Sequence, residues 1–435
     1  MRRLSLEELG CAAILAFFAM QGAIPFVAPH EALESSHSAA SRLTLYGGII
    51  SQLIVYTGIA VLLLRRARRV VCWLGAMQWT APFTILAIAS TAWSQFPLLT
   101  LRRSLPFAMA GLFGLYLAIR FPLRRQLSLL WAAMLVLTLA SVAIAVCFPK
   151  VGLDPSPGHH LDWQGVFTQK NACGRAMVLA TAVVLANWRF SALRAASLLV
   201  FLFVLLMSGS RSALAIEVLV LLFYACVSIA RQIDTRSRIT ISWLAALLVS
   251  LLTWVVWRHL PLLLLLAGRE STLSGRTEIW KQVWRFILQR PNLGWGYAAF
   301  WRGVDGQSFN VVAALRFVVF HAHNGFLEIW LELGLLGLVL FGLSYFRAWR
   351  KLWPVLRSED MDRGIWMASI LVLILICSLD ENTLLTFNGL LWVLYVSTLA
   401  NIELLGAEDR LAVAIRRLAN RSASQWMRGD PEWQR

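Results

Sequence analysis

Charged residues are scarce in this chain of 435 residues, since Asp, Glu, Lys and Arg together make up only 14% of it. A soluble domain carries about a quarter of such residues, so the composition excludes an ordinary soluble globular protein. Acidic residues are the rarer charge, 23 against 40 basic ones. The basic excess does not indicate nucleic-acid binding, because no patch that interleaves basic and aromatic side chains appears.

Cysteine is also rare in this sequence. The six cysteines lie in or at the ends of apolar runs, and their spacing matches no metal-binding pattern. This spacing excludes a disulfide framework and a zinc site, and we expect neither a metal ion nor a cofactor. The chain also lacks two mirrored halves, which many transporters contain.

The most abundant feature is a series of apolar runs of about 20 residues, the length that crosses a bilayer as a helix. The sequence therefore predicts an all-α polytopic membrane protein, in which residues 1–435 form a single integral-membrane domain. We predict about twelve spans, at residues 9–28, 44–64, 70–90, 104–119, 127–148, 171–187, 194–207, 212–230, 239–257, 324–346, 364–379 and 384–402.

Arginine and lysine mark every second loop, and such loops face the cytoplasm. The basic loops include residues 65–69, 120–125 and 347–363. This alternation predicts that both termini are cytoplasmic, including a basic tail at 403–435. It also predicts a large loop between spans nine and ten, residues 258–323, on the opposite side of the membrane.

The loop 258–323 contains eight Lys or Arg residues against three Asp or Glu residues. An anionic ligand explains this excess, and a surface that faces lipid head groups is the alternative. A short helix is predicted from Thr277 to Leu288, with Arg276 near its first turn. Backbone N–H groups at a helix start, together with a guanidinium, can bind phosphate.

Three further groups lie at the same predicted face. Arg211 occupies a very short turn between spans seven and eight, where it is either functional or an ordinary snorkelling arginine. Lys170 and Asn171 lie where span six begins. His321 and His323 lie at the start of span ten, and histidine is suited to proton transfer near neutral pH.

Several of these residues belong to motifs that resemble one family. The pair His323-Asn324, followed after nine residues by Gly334-Leu335-Leu336-Gly337, resembles the signature of the bacterial O-antigen ligase and polysaccharide polymerase superfamily. Segments similar to its other motifs are Ser208–Arg211, Gly275–Trp280, Pro291–Gly296 and, for members that polymerise exopolysaccharides, Phe167–Gly174. The motifs lie within residues 160–345, which we take as the ligase- or polymerase-like core.

The resemblance implies a metal-independent glycosyltransferase of GT-C-like architecture at the periplasmic face of the bacterial inner membrane. Its donor would be a glycan on undecaprenyl diphosphate, and its acceptor a sugar hydroxyl of another glycan or of lipid A-core. His323 would be catalytic, and Arg211 and Arg276 would bind the diphosphate. The remaining candidates are Lys170, Asn171, His321 and Asn324 as substrate contacts and Gly334 and Gly337 as helix-packing residues.

Two questions remain open at the level of the sequence. The stretch around Lys170 favours an exopolysaccharide or O-antigen polymerase over a lipid A-core ligase, without excluding the ligase. A polysaccharide transporter or lipid-linked oligosaccharide flippase is the alternative function, and a non-catalytic scaffold is a third. Membrane lipids and other polysaccharide-assembly proteins are the expected partners, and no nucleic acid is expected.

Overall fold

The computed structural model describes residues 4–22, 39–155, 161–186, 191–231, 275–303, 305–358 and 361–407. This part of the chain is helical and contains no β-strand, only an isolated bridge between Leu153 and Trp163. Predicted span nine, the first part of the loop 258–323 and most of the tail 403–435 lie outside the described residues.

We number the helices in chain order. They are α1 Leu6–Ala19, α2 Ala39–Leu64, α3 Ala67–Trp73, α4 Ala81–Ala89, α5 Pro97–Arg120, α6 Leu123–Cys147, α7 Pro149–Gly152, α8 Lys170–Leu185, α9 Ala192–Met207, α10 Arg211–Arg231, α11 Arg276–Gln289, α12 Ser308–Leu315, α13 Gly325–Val355, α14 Met361–Asp380 and α15 Leu390–Ala407. Short 3-10 turns extend α3 through Leu74–Met77 and α4 through Ser90–Ala92.

Six of the described helices are long and apolar enough to cross a membrane, namely α2, α6, α10, α13, α14 and α15. The chain is therefore a multi-pass membrane protein. Helices α1, α8 and α9 have 14, 16 and 16 residues, which is short for a full crossing of about 20 residues. The total of twelve spans consequently stays a prediction.

The predicted span at residues 70–90 is bent and does not form a single straight helix. The segment forms two helical pieces, Ala67–Met77 and Ala81–Ala92, which are bent by 89° relative to one another. Pro82 lies in the first turn of the second piece. Proline lacks the N–H that would continue a helix and suits a helix start, so the chain turns here and begins a new helix.

Helix α8 packs against four other helices, α6, α9, α10 and α14. A Cβ atom built on Gly174 would lie 2.7 Å from the Cβ of Ala213 in α10, so only glycine allows the two helices to approach this closely. The close approach brings the first turn of α8 against the turn that precedes α10. Two of the predicted motifs therefore meet at one helix end.

Ion pairs connect other helix ends, where the sequence predicts cytoplasmic residues. Glu7 pairs with Arg120 at 2.8 Å and with Arg66 at 3.5 Å, and Glu8 pairs with Arg125 at 2.5 Å. These pairs connect the start of α1 to the ends of α2 and α5 and the start of α6. Residues that the charge pattern predicted on one side of the membrane thus lie close together.

Candidate active site

The buried carboxylate of Glu381, which follows α14, is the centre of a cluster of imidazole and guanidinium groups. Its Oε1 lies 3.2 Å from Nδ1 of His323, and its Oε2 lies 3.4 Å from Nε2 of His321. Arg175 of α8 and Arg276 of α11 each approach Oε1 with one nitrogen, at 3.7 and 3.8 Å. Four separate segments of the chain therefore bring these groups together.

Hydrogen bonds define the tautomer of each imidazole. The backbone N–H of His323 donates to Nδ1 of His321 at 3.3 Å, so a neutral His321 carries its proton on Nε2, toward Glu381. Because a carboxylate only accepts, Nδ1 of His323 is the donor to Glu381. The Nε2 atom of a neutral His323 then keeps its lone pair, as a general base requires.

The ionisation of two groups supports this assignment. Burial lowers the pKa of His321 to about 4, and the nearby guanidiniums act in the same direction, while Glu381 opposes the shift. Burial alone would raise the pKa of Glu381, but the hydrogen bond from His323 and the charge of Arg175 outweigh it and lower this pKa to about 2. At neutral pH, therefore, His321 is neutral and Glu381 is an anion.

The loop that carries both histidines is fixed through Ala322, which is fully buried. Its N–H donates to Oε2 of Glu328 at 2.7 Å, and its carbonyl accepts from Nε1 of Trp280 at 2.9 Å. Nε1 of Trp301 donates to the other oxygen of Glu328 at 2.7 Å. Trp280 lies four residues after Arg276, on the same face of α11. Its hydrogen bond to Ala322 therefore also fixes the position of the histidine loop relative to the guanidinium of Arg276.

Asn324 forms the cap of α13. His323 has a positive φ of 49°, a left-handed conformation that is uncommon outside glycine. Oδ1 of Asn324 then accepts from the backbone N–H groups of Phe326 and Leu327 at 3.0 and 3.1 Å. The His-Asn pair of the motif thus turns the chain and starts the helix, which gives Asn324 a structural role beside its predicted one.

Gly334 lies at a break in α13, with a φ of 68° and a ψ of −172°. The loop Pro291–Gly296 docks on this break, where the N–H of Trp295 donates to the carbonyl of Leu331 at 2.9 Å. A Cβ atom built on Gly334 would lie 2.1 Å from the carbonyl oxygen of Asn292. The close neighbour of Gly334 is therefore this loop and not another membrane helix. At Gly337 the contact is with α13 itself.

The structure brings Arg276, His321 and His323 together but places the other predicted contacts elsewhere. Arg211 is exposed at the start of α10 and forms no hydrogen bond or ion pair with a described residue. Asn171 accepts a hydrogen bond from Oγ of Ser210 at 2.9 Å, which connects α8 to the Arg211 turn. Lys170 forms an ion pair of 2.7 Å with Asp162.

The sequence analysis missed three members of the cluster, Arg175, Asp380 and Glu381. Asp380 forms the shortest ion pair of the site, 2.6 Å from Arg276. A signal for all three was present, because each lies inside or at the end of a predicted apolar span. Ionisable residues are expensive there and mark functional sites by default.

The side chains of His321, His323 and Glu381 offer ligand atoms that all lie within 4.8 Å of one another, which is close enough to hold a metal ion. The two guanidiniums beside Glu381 make this a poor cation site, because they already compensate the carboxylate and repel a further positive charge. Their uncommitted N–H donors fit an anion better.

Comparison with known proteins agrees with the motifs. Residues 196–342 match the family model described as O-antigen ligase, a segment that contains both histidines of the cluster and Arg276. Over 100 residues the chain is 37% identical to the exopolysaccharide production protein ExoQ of Rhizobium meliloti (strain 1021). That stretch covers 22% of this chain and 22% of ExoQ, so the similarity spans about a fifth of the relative. The resemblance to the O-antigen ligase and polysaccharide polymerase superfamily is confirmed.

Proposed function

We propose that this protein is a membrane glycosyltransferase that moves a glycan from undecaprenyl diphosphate to a sugar hydroxyl. The observation that carries the proposal is the His323–Glu381 pair beside the guanidinium of Arg276. His323 is a base of defined tautomer, and Arg276 offers hydrogen-bond donors to a phosphate leaving group. This transfer needs both groups.

The proposed reaction uses the chain's own groups. Nε2 of His323 takes the proton of the acceptor hydroxyl while that oxygen attacks the anomeric carbon of the donor sugar. The bond between this carbon and the diphosphate oxygen breaks, and its electron pair leaves with the diphosphate. Arg276 stabilises the growing negative charge, and Glu381 stabilises the imidazolium that forms on His323. We propose that no metal ion takes part, because guanidinium can supply the required charge.

The other predicted contacts remain part of the proposal. Arg211 has N–H donors that no described residue uses, so it is available for the diphosphate. Nδ1 of the neutral His321 accepts a hydrogen bond from the backbone N–H of His323. This contact suits a role in positioning His323, in addition to the predicted contact of His321 with the substrate. Lys170 and Asn171 adjoin the same turn and remain candidates for the sugar.

We further propose a periplasmic location for the site, in a GT-C-like protein of twelve spans in the inner membrane with both termini in the cytoplasm. The pairing of Glu7 and Glu8 with predicted cytoplasmic arginines supports one common side for those helix ends. The cluster around Glu381 lies instead near the start of α8 and α13 and the end of α14. Those are the helix ends for which the charge pattern predicts the opposite side.

Polymerase activity is the form of the reaction that we favour, and ligation to lipid A-core is the second candidate. The similarity to an exopolysaccharide production protein favours polymerisation. The family description, O-antigen ligase, favours ligation. In either case a lipid-linked glycan is the donor, and the expected partners are membrane lipids and other proteins of polysaccharide assembly.

The test is the polysaccharide and lipopolysaccharide profile of a null strain complemented with wild type, His323→Ala or Arg276→Gln. Arg102→Gln is the matched control, because Arg102 is exposed and forms no hydrogen bond or ion pair with a described residue. Loss of polymer with single lipid-linked repeats accumulating identifies a polymerase. Loss of capped lipopolysaccharide with lipid-linked polymer accumulating identifies a ligase. Wild-type profiles for both site variants at normal protein level would refute the proposal and favour a transporter.

A further inference from the structure

The outer face of α11 combines exposed apolar side chains with exposed basic ones. We propose that α11 lies in the membrane interface, with Trp284 and Leu288 in contact with lipid chains and with Lys281 and Arg285 bound to the head groups of anionic phospholipids. This surface lies outside the candidate active site, and the inference does not depend on the reaction proposed for that site.

The two faces of α11 differ in burial. The inner face is buried against the rest of the chain and consists of Ile279, Val283, Phe286 and Ile287. On the outer face, Trp284 is 43% exposed and Leu288 is 61% exposed. These two residues are one turn apart, so they form a single apolar edge along the helix. An apolar edge beside a buried face requires a second apolar surface, and the bilayer supplies one.

The contacts between α11 and α13 define the depth of this edge. Two residues after α11 ends, the carbonyl of Pro291 accepts a hydrogen bond from the backbone N–H of Leu335 at 2.8 Å. Leu335 begins the exposed apolar side of α13, which continues through Leu336, Val339, Leu343 and Phe346. Because α13 is long and apolar enough to cross a membrane, this exposed side faces lipid chains. The end of α11 thus lies level with the first lipid-facing residues of α13.

A pair of tryptophans connects the two helices close to this level. The ring of Trp284 packs edge-on against that of Trp330 in α13, with the centroids 5.2 Å apart. Nε1 of Trp330 also donates to the carbonyl of Pro291 at 3.0 Å. Tryptophan is enriched at the boundary between lipid chains and water. The pair therefore indicates that the membrane interface passes along the outer edge of α11.

The charges on α11 indicate which head groups it binds. Lys281 is 67% exposed, and Arg285, one turn later, is exposed as well. Glu278, the only acidic residue of α11, pairs with Lys281 at 2.8 Å, whereas Arg285 donates to the neutral side chain of Gln282 at 3.2 Å. The outer face thus keeps a net positive charge beside its apolar edge. Amphipathic helices of this kind bind anionic bilayers more strongly than neutral ones.

The position of α11 also affects the candidate active site. The helix begins with Arg276, and Trp280 on the same helix donates its hydrogen bond to the histidine loop. A lipid that fixes α11 therefore fixes both groups. Under the proposed function, transfer by the wild-type protein should be faster in vesicles with phosphatidylglycerol than in phosphatidylcholine alone. The double substitution Lys281→Gln and Arg285→Gln should remove this difference.

The direct test is fluorescence quenching of a bimane label on the full-length protein in vesicles of phosphatidylcholine and phosphatidylglycerol. The label is attached at Leu288→Cys after the exposed cysteines are replaced by serine, namely Cys72, Cys147 and Cys226. Bromine atoms, which quench bimane, are placed on the chains of one lipid or of the other. Val339→Cys, on the lipid-facing side of α13, is the matched control position. Trp284→Cys takes the place of Leu288→Cys if that variant lacks the wild-type elution and thermal transition.

We expect brominated phosphatidylcholine to quench the labels at both residues. Brominated phosphatidylglycerol should quench the label at residue 288 more strongly, because each basic residue enriches anionic lipid by about fivefold. The label at residue 339 should show no such preference, and Lys281→Gln with Arg285→Gln should abolish the preference at residue 288. Absence of quenching at residue 288 would refute the interfacial position of α11. Equal quenching there by the two lipids, or a preference that persists in the double variant, would refute the anionic lipid site.

These outcomes are separable from those of the proposed function, because quenching does not measure catalysis. If His323→Ala abolishes transfer while the label at residue 288 is not quenched, the proposed function stands and this inference fails. If the label shows lipid contact and the preference for phosphatidylglycerol while His323→Ala leaves transfer unchanged, the lipid surface stands and the catalytic assignment fails.

Discussion

The substitution Trp280→Phe tests whether α11 positions His323, the proposed catalytic base. It removes one N–H group, the donor to the carbonyl of Ala322 at 2.9 Å, and keeps an aromatic ring in the same place. Arg276 lies one turn earlier on the same helix, so the substitution weakens the connection between its guanidinium, the proposed phosphate-binding group, and the loop of His323. We expect the protein to fold and its transfer rate to fall.

The size of the expected loss in transfer rate follows from the burial of Ala322, which has no exposed surface. Leaving one buried carbonyl without a donor costs about 1–3 kcal/mol, which the protein can partly recover if the loop shifts. A shift of about 1 Å at a catalytic group can reduce the rate by about 100-fold. We therefore expect a loss of transfer rate of about 10- to 100-fold. Donor affinity should change little, since the proposed diphosphate-binding residues are intact.

The assay is the rate of polymer formation from purified lipid-linked repeats, together with the affinity for undecaprenyl diphosphate. Trp284→Phe is the matched control, because Trp284 lies one turn later on α11 and its indole N–H donates no hydrogen bond to a described residue. It is 43% exposed and packs edge-on against Trp330. If Trp280→Phe and Trp284→Phe have the same transfer rate, the hydrogen bond to Ala322 does not position His323 and the reasoning is wrong.

Three further predictions address the carboxylate, the helix break and pH. Glu381→Gln should fold normally and reduce the transfer rate by about 100-fold, because an amide neither fixes the His323 tautomer nor stabilises an imidazolium. Transfer at the wild-type rate would contradict this prediction. Gly334→Ala should destabilise the protein and lower its thermal transition markedly, because the φ of 68° and the 2.1 Å approach of Asn292 exclude a Cβ atom. The backbone strain alone should cost about 1–3 kcal/mol of the free energy of unfolding. Gly342→Ala on the same helix meets no atom within 4 Å and should not destabilise; equal transitions in the two variants would refute this. Lowering the pH from 7 to 5 should destabilise the protein by about 2 kcal/mol through His321. The pKa of His321 is about 4 in the folded protein and lies below its ordinary value of 6.5. The unfolded chain therefore binds the proton at a higher pH than the folded protein does. The stability lost in acid should be smaller in His321→Asn, and an identical loss would contradict the prediction.

The sequence predicted the membrane helices better than the contacts between the residues of the candidate site. Apolar runs and positive loops depend on local composition, so most described helices lie where they were predicted. The bend at 70–90 was missed because both halves are apolar and only Pro82 distinguishes a break from a continuous span. His323 and Arg276 were proposed as site residues from motif and chemistry. Their common partner, Glu381, lies 58 residues after His323 along the chain, and only the packing of α14 against α13 brings the two into contact.

Under the proposed function, the contacts of Glu381 explain how a site for an anionic diphosphate can contain a carboxylate. The guanidiniums of Arg175 and Arg276 lie beside the carboxylates of Glu381 and Asp380, and these ion pairs hold both cations in place. Each guanidinium has five N–H donors, and among the described residues only Nη1 of Arg276 is hydrogen-bonded to a carboxylate, that of Asp380 at 2.6 Å. A diphosphate can therefore bind to the remaining donors without displacing Glu381 from His323. In the proposed reaction, the carboxylate of Glu381 stays in contact with His323 while Arg276 stabilises the leaving diphosphate.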